Sequence, residues 1–131
     1  MKLQRASRLA IYAILELARD PDRQRASAEI AAAYGVSNHH LVKVLGVLAK
    51  AGLVEATRGA SGGYRFVANP KRTTLHDLVS LFEPVGGDRA REPGETTPAG
   101  RALEGILTEI DDIATATLAS VTVSTMCKLM A

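Results

Sequence analysis

The stretch of residues 26–50, ASAEIAAAYGVSNHHLVKVLGVLAK, constrains the fold more than any other part of the chain. It predicts two short helices separated by one turn. Ser27 is the expected N-cap of the first helix, because its hydroxyl can accept a hydrogen bond from a first-turn amide. Gly35 supplies the left-handed residue that ends this helix, and Ser37 caps a second helix that runs to about Ala51. The very short connection allows only a tight, angled crossing.

Small and apolar residues occupy the positions where these two helices would touch. Ala31 permits close contact, and Val36 would fill the space beside the turn. Ile30, Leu41 and Val44 would face a shared core. The pattern predicts a helix-turn-helix, and the alternative is that two helices meet through small residues without a functional surface.

The side chains left outside at the start of the second helix are short polar groups, imidazoles and one cation: Ser37, Asn38, His39, His40 and Lys43. Such groups suit the base edges and phosphates of a DNA major groove. Base contacts are expected from Asn38, His39 and Lys43. A phosphate contact is expected from Ser37 or from the amides at the helix start.

A β-hairpin is predicted directly after the second helix. Residues 53–57 and 64–67 are short and β-prone, and glycines lie between them. A hairpin in this place is typical of the wing of a winged helix, although an ordinary hairpin is the alternative. We expect the tip to enter a narrow minor groove, where negative potential attracts arginine. The tip residues in question are Arg58, Gly59 and Ser61.

Two further helices complete a compact head. Residues 1–19 contain an amphipathic helix that supplies the third side of a trihelical core. Its basic start includes Lys2, which either reaches phosphate or is simply solvated. Thr74 is expected to cap a helix that ends by Pro84, which gives a winged-helix domain over residues 1–84.

The C-terminal part is predicted to pair two subunits. Residues 85–97 are rich in glycine and charge and predict a flexible loop. Residues 98–131 predict a long helix and a last turn that packs Met126, Leu129 and Met130. An apolar stripe at helical spacing must be buried, either in a second subunit, as we expect, or on its own domain. The stripe includes Leu103, Ile106, Leu107, Ile110, Ile113, Ala114 and Leu118.

Charge is divided unevenly along the 131 residues. Residues 1–72 hold 12 Lys and Arg against 5 Asp and Glu, whereas residues 73–131 hold 4 against 9. A basic half that carries a helix-turn-helix favours a polyanionic partner, although a random distribution of surface charge is the alternative. The low aromatic content of 4%, without tryptophan, argues against a base-stacking platform for single strands.

Several classes of protein are disfavoured by what the sequence lacks. Its single cysteine, Cys127, cannot form an internal disulfide or a cysteine-built metal site within one chain. No apolar run approaches the roughly 18–20 residues of a membrane span, so we expect a cytoplasmic protein with no membrane partner. No phosphate loop, metal-ligand cluster or nucleophile–base constellation is present. We therefore predict no catalytic residue, no metal ligand and no cofactor.

The chain resembles the dimeric winged-helix transcriptional regulators that include the iron–sulfur regulator IscR and the nitric-oxide-responsive repressor NsrR. The resemblance rests on MKLQRASRLAIYAILELA, on GVSNHHLVKVLGVLAKAGLVEATRGASGGYRFVANP and on TTLHDLVSLFEP. NHHLVKV and TTPAGRALEGIL are most similar to the NsrR branch. The resemblance covers nearly the whole chain. It implies a homodimer on a two-fold symmetric operator, with the second helix in the major groove and the wing in the minor groove.

One departure from this family concerns the cofactor. Sensing members hold an iron–sulfur cluster on three cysteines in the loop before the dimerisation helix, and some add a carboxylate from the first helix. Here the loop has no cysteine, Gly100 stands where the last ligand would be, and the first helix presents Arg8. Cluster ligation needs thiolate or imidazole donors, so we predict a member without a cluster.

The sequence therefore predicts a homodimeric regulator of transcription, acting as a repressor on double-stranded DNA. Two alternatives stay open at this point. One is a winged helix that binds protein and has no DNA target. The other is a regulator that responds to oxidation of Cys127, although a lone cysteine near an apolar turn is usually inert packing. The effector, whether a small molecule or another signal, is not specified by the sequence.

Overall fold

The computed structural model describes residues 3–60, 62–83 and 92–131, and these form helices and one hairpin in the predicted order. The fold is a winged helix-turn-helix followed by a long C-terminal helix, which confirms the predicted fold class. The elements are α1 (Arg5–Ala18), α2 (Ser27–Tyr34), α3 (Asn38–Lys50), β1 (Val54–Thr57), β2 (Gly63–Phe66), α4 (Leu75–Ser80), α5 (Pro98–Ser120) and α6 (Val123–Met130).

Helix α1 is the centre of the core. It packs against α3, α4, α6 and β2, and more than half of its residues are buried. Ile14 and Leu17 are fully buried and meet Leu41, Leu45 and Leu78 from other elements in one cluster. The predicted role of α1 in the head is confirmed, but the helix is covered on more than the single face that its periodicity indicated.

The turn between α2 and α3 is built as the sequence predicts. Gly35 adopts a left-handed conformation with φ of 64°, and the amide of Val36 donates to the carbonyl of Ala31 at 3.0 Å. Ser37 caps α3, since its hydroxyl oxygen accepts from the amide of His40 at 3.3 Å. The expected cap at Ser27 is wrong by one residue, because Ala26 is the N-cap of α2 and makes no side-chain capping bond.

The wing (β1, β2 and the tip between them) is an antiparallel hairpin. Val54 pairs with Phe66, and Glu55 pairs with Arg65. Val54 and Phe66 are buried, so one side of the hairpin joins the core. On the exposed side the Arg65 guanidinium and the Glu55 carboxylate form an ion pair at 3.1 Å, and this cross-strand pair helps to fix the register.

The C-terminal segment returns to the core instead of ending in a single turn. Helix α6 has eight residues and packs on α1, with Val123 fully buried. The amide of Val123 donates to the carbonyl of Thr73 at 2.8 Å. Met126 and Met130 pack as predicted, but Leu129 is 74% exposed and does not.

Helix α4 begins at a capping box, in which Thr74 and Asp77 each accept from the other residue's amide. It ends at Ser80, and Pro84 lies outside the described residues, as does most of the predicted flexible loop at 85–97.

Within the described part of the chain, no helix combines the length and apolar character that crossing a membrane requires.

Candidate nucleic-acid interface

Helix α3 turns a defined set of side chains away from the core. Leu41, Val44, Leu45 and Leu48 are buried on one side. His40 is half-buried at the border. The opposite side is exposed along the whole helix, and we call it the outward face. It consists of Asn38, His39, Val42, Lys43, Gly46, Val47 and Lys50.

The outward face is positively charged. Helix α3 contains no Asp or Glu. Lys43 and Lys50 lie seven residues apart, which is two helical turns, so they point the same way. Among the described residues, the ion pairs involve other side chains and leave both ammonium groups to solvent. Their charge is therefore available to an anionic partner.

The start of α3 also offers polar groups. The Ser37 oxygen is used as the helix cap, yet its O–H remains able to donate. Asn38 and His39 are exposed beside it. The structure thus brings together four of the predicted contact residues, Ser37, Asn38, His39 and Lys43, and places His40 at the edge of the group.

The wing tip is shaped by its glycines. Gly59 has φ of 113°, which strains any residue with a side chain. A Cβ atom at Gly62 would collide with the carbonyl oxygen of Thr57, so no side chain fits there. Arg58 and Gly59 are exposed. The predicted contacts at Ser61 and Lys2 lie outside the described residues.

The wing is attached to the segment before α2. Arg25 and Tyr64 form a small bridge, in which the Arg25 amide donates to Tyr64 at 3.0 Å and the Tyr64 amide donates back at 2.8 Å. A Cβ at Gly63 would lie 2.7 Å from the Arg25 carbonyl oxygen, so this close approach requires glycine. The Gln24 amide group also donates to the Thr57 hydroxyl at 2.9 Å.

A half-buried carboxylate links this bridge to α1 and α2. Glu16 accepts from Arg25 Nη1 at 2.6 Å, from the Tyr34 hydroxyl at 2.6 Å and from Arg19 at 3.2 Å. The Tyr34 ring stacks on Tyr12 with 4.9 Å between centroids. We call Glu16, Arg25 and Tyr34 the Glu16 network. It fixes the base of the wing relative to the helix-turn-helix, and the sequence analysis missed it.

The Glu16 network shifts two pKa values in opposite directions. Burial raises the pKa of Glu16, but hydrogen bonds from Tyr34, Arg25 and Arg19 outweigh burial, and the pKa lies below its ordinary value. Burial, together with the hydrogen bond to Glu16, raises the pKa of Tyr34 to about 12. Both shifts favour a charged carboxylate beside a neutral phenol, which is the arrangement that the hydrogen bond needs.

Helix α5 presents the predicted apolar stripe to solvent. No residue of α5 is buried. Its five large aliphatic side chains between 103 and 113 are 40–62% exposed, so the head does not cover them. Ala114 and Leu118 are half-buried near the end of the helix. The apolar stripe is defined here as Leu103, Ile106, Leu107, Ile110, Ile113, Ala114 and Leu118.

A model of the Rrf2 family, described as iron-dependent transcriptional regulators, matches residues 3–129. The chain belongs to the Rrf2 family. It is 45% identical over 130 residues to a protein of Rhodopseudomonas palustris named HTH-type transcriptional regulator BadM, covering 99% of this chain and 83% of that protein. These relatives are regulators of transcription and not enzymes.

Solved structures of other regulators share the fold. T. potens IscR superposes with a TM-score of 0.80 at 23% identity, over 100% of this chain and 89% of that one. CymR, described as the global cysteine regulator of B. subtilis, superposes with a TM-score of 0.74 at 26% identity, over 98% of both chains.

The family description implies iron, and the donor set of this chain does not fit an iron–sulfur cluster. Residues 85–100 contain neither cysteine nor histidine. Among the described residues, no group of three His, Cys, Asp or Glu side chains is placed to hold a metal ion. At Gly100, where the resemblance places the last ligand, a Cβ would collide with the carbonyl oxygen of Gly94. The backbone here leaves no room for a ligating side chain.

The Glu16 network generates a prediction for stability. We expect Tyr34→Phe to lower the free energy of unfolding at neutral pH by about 1–2 kcal/mol, because it removes a hydrogen bond to a charged group. The raised pKa of about 12 means that the tyrosine contribution is fully present below the ordinary value of 10.0 and is lost as the pH rises through 12. Urea unfolding at increasing pH should show the free energies of unfolding of the wild type and of Tyr34→Phe converging above about pH 10.

Tyr12→Phe is the matched control. Among the described residues, its hydroxyl accepts one long bond of 3.4 Å, from Arg8, so its loss should change stability little and without this pH dependence. If Tyr34→Phe lowered the free energy of unfolding by the same amount across the alkaline range, the role assigned to the hydrogen bond between Tyr34 and Glu16 would be contradicted.

Proposed function

We propose that the protein is a homodimeric transcriptional repressor that binds a two-fold symmetric operator in duplex DNA without an iron–sulfur cluster. The observation that carries the proposal is the outward face of α3, which is exposed along its length and free of acidic residues, and whose two lysines take part in none of the ion pairs between described residues. Membership of a family of transcriptional regulators supports DNA as the partner. The protein would act in the cytoplasm, where its DNA target lies.

Each part of the head has a distinct role in this proposal. Helix α3 enters the major groove, where Asn38, His39 and Lys43 contact base edges. Ser37 donates its hydroxyl to a phosphate, and His40 stays at the edge of the contact. Arg58 and Gly59 enter the minor groove with the wing. Ser61 and Lys2 are proposed to add contacts at the tip and at the N-terminus.

Dimerisation is proposed to bury the apolar stripe of α5 against its counterpart. A stripe of large aliphatic side chains at this exposure is costly in water, and burial against a second copy removes the cost. Two α3 helices related by a two-fold axis would meet successive major grooves about 34 Å apart. Repression would then need no surface beyond those described, since occupancy of an operator excludes polymerase from an overlapping promoter.

Oxidation of Cys127 is not part of the proposal. Its side chain is half-buried against the core, and burial raises the pKa of the thiol, outweighing the opposite effect of Arg19. A thiol with a raised pKa forms less of the thiolate that oxidants attack.

The proposed base contact of Lys43 can be tested with an operator selected from random-sequence duplexes. We expect Lys43→Ala to weaken binding by about 1–3 kcal/mol if the ammonium contacts guanine, and to reduce the slope of log affinity against log salt by about one if it contacts phosphate. Lys128→Ala, on α6 and away from the outward face, is the control. Unchanged affinity and slope in a fluorescence-anisotropy titration would remove Lys43 from the interface. Failure to select any duplex would favour the protein-binding alternative.

The proposed dimer interface can be tested by charge. Ile110→Glu should convert a dimer to a monomer in sedimentation velocity, because an unpaired carboxylate in an apolar interface is costly. Thr108→Glu places the same charge on a different side of α5 and should leave the dimer intact. A wild-type monomer, or an Ile110→Glu variant that still sediments as a dimer, would contradict the interface.

The absence of a cluster can be tested by absorption. Protein purified without oxygen from iron-replete cells should show no visible band, because this chain offers no thiolate set in the loop. An Rrf2 relative with three loop cysteines, purified in parallel, is the positive control. A cluster-like visible band in this protein would overturn the proposal.

A further inference from the structure

Gly46 is an unexpected residue in the middle of an exposed helix face. Glycine in a helix interior costs about 1 kcal/mol relative to alanine. A Cβ built at Gly46 meets nothing within 4 Å, so the packing of this chain does not require glycine there. The fold would be more stable with alanine, which points to a requirement outside the chain.

The missing side chain leaves an open notch in the helix surface, because even the Val42 side chain, which borders it, lies more than 4 Å from the position a Cβ would take. Val42 lies one turn earlier on the same side, and its side chain is 41% exposed. Lys43 and Lys50 lie three and four residues from Gly46 and are its neighbours on the helix surface. The floor of the notch is helix backbone, and its depth is that of one methyl group.

The side chains around the notch indicate which chemical group could bind there. The two lysines attract a polyanion, and no acidic residue of α3 opposes them. The Val42 side chain cannot hydrogen-bond, so contact with it is favourable for an apolar group and costly for a polar group that must lose water. In the major groove of DNA the apolar group on a base edge is the C5 methyl of thymine.

We propose that the notch formed by Gly46 and Val42 receives the C5 methyl of a thymine in each operator half-site, and that these two residues determine specificity at that position. This inference rests on the proposed binding of duplex DNA. Gly46 and Lys43 are about 4.5 Å apart along the helix axis, so the thymine should lie within one or two base pairs of the base contacted by Lys43.

The experiment replaces thymine with deoxyuridine, which removes only the methyl group. An operator is first selected from random-sequence duplexes with the full-length protein, and each thymine of a half-site is then replaced in turn. We expect one position at which wild-type affinity falls about fourfold, the change that burial of one methyl-sized group produces. Fluorescence anisotropy at fixed salt measures each affinity.

Three variants separate a methyl contact from a general effect. Gly46→Ala fills the notch, so it should bind the thymine site more weakly than wild type and should recover affinity on the deoxyuridine site. Val42→Ala shortens the apolar side chain that borders the notch and should abolish the discrimination between the two sites. Val67→Ala, at a similarly exposed valine (45%) that lies outside α3, should retain it. Gly46→Ala should also raise the melting temperature by about 2–6 °C, which excludes misfolding as the cause of weak binding.

The outcomes distinguish this inference from the proposed function. If no duplex is selected, DNA binding fails and the notch fails with it. If an operator is selected but no deoxyuridine replacement lowers affinity, the protein binds DNA without a thymine contact and the inference alone is overturned. It is also overturned if Val42→Ala keeps the full discrimination, or if Gly46→Ala binds both sites as wild type does.

Discussion

The structure depends on the burial of α1 from several directions. The helix-turn-helix, the wing, α4 and α6 all pack against it, so it must be apolar around most of its circumference. Two polar side chains of α1 are nevertheless withdrawn from solvent: the buried Ser7 donates to the Glu83 carboxylate at 2.8 Å, and the half-buried Glu16 carboxylate is tolerated because three donors surround it. The Glu16 carboxylate thus also holds Arg25, and through Arg25 the wing, in place.

Local chemistry made much of this fold predictable. Gly35, Ser37, Thr74 and Pro98 each act on the backbone within a few residues of their own positions. The sequence pattern was therefore sufficient to predict the turn, the two caps and the start of α5. The error at Ser27 is a displacement of one residue, which is within the one or two residues to which a helix end is defined.

Features that join distant parts of the chain were not predictable in this way. The partners of Glu16 lie up to eighteen residues away in sequence, and nothing in a period of three or four residues indicates them. The end of the chain was predicted as a turn because only the tertiary structure shows that α1 has a second side for α6 to cover. At the candidate interface, the pattern of polar and charged residues indicated Lys43 as a contact, which stays a prediction. The exposure of Val42 and the empty space around Gly46 are visible only in the structure.

The hydrogen bond between Val123 and Thr73 has a consequence for how two copies could span DNA. The residues after α5 are joined to the head by backbone hydrogen bonds and by a fully buried valine. The C-terminal end of α5 is therefore held in a fixed orientation relative to the head. In a dimer formed through α5, the distance between the two halves would be set by rigid geometry. Such an assembly would have little tolerance for inserted or deleted base pairs at the centre of its target.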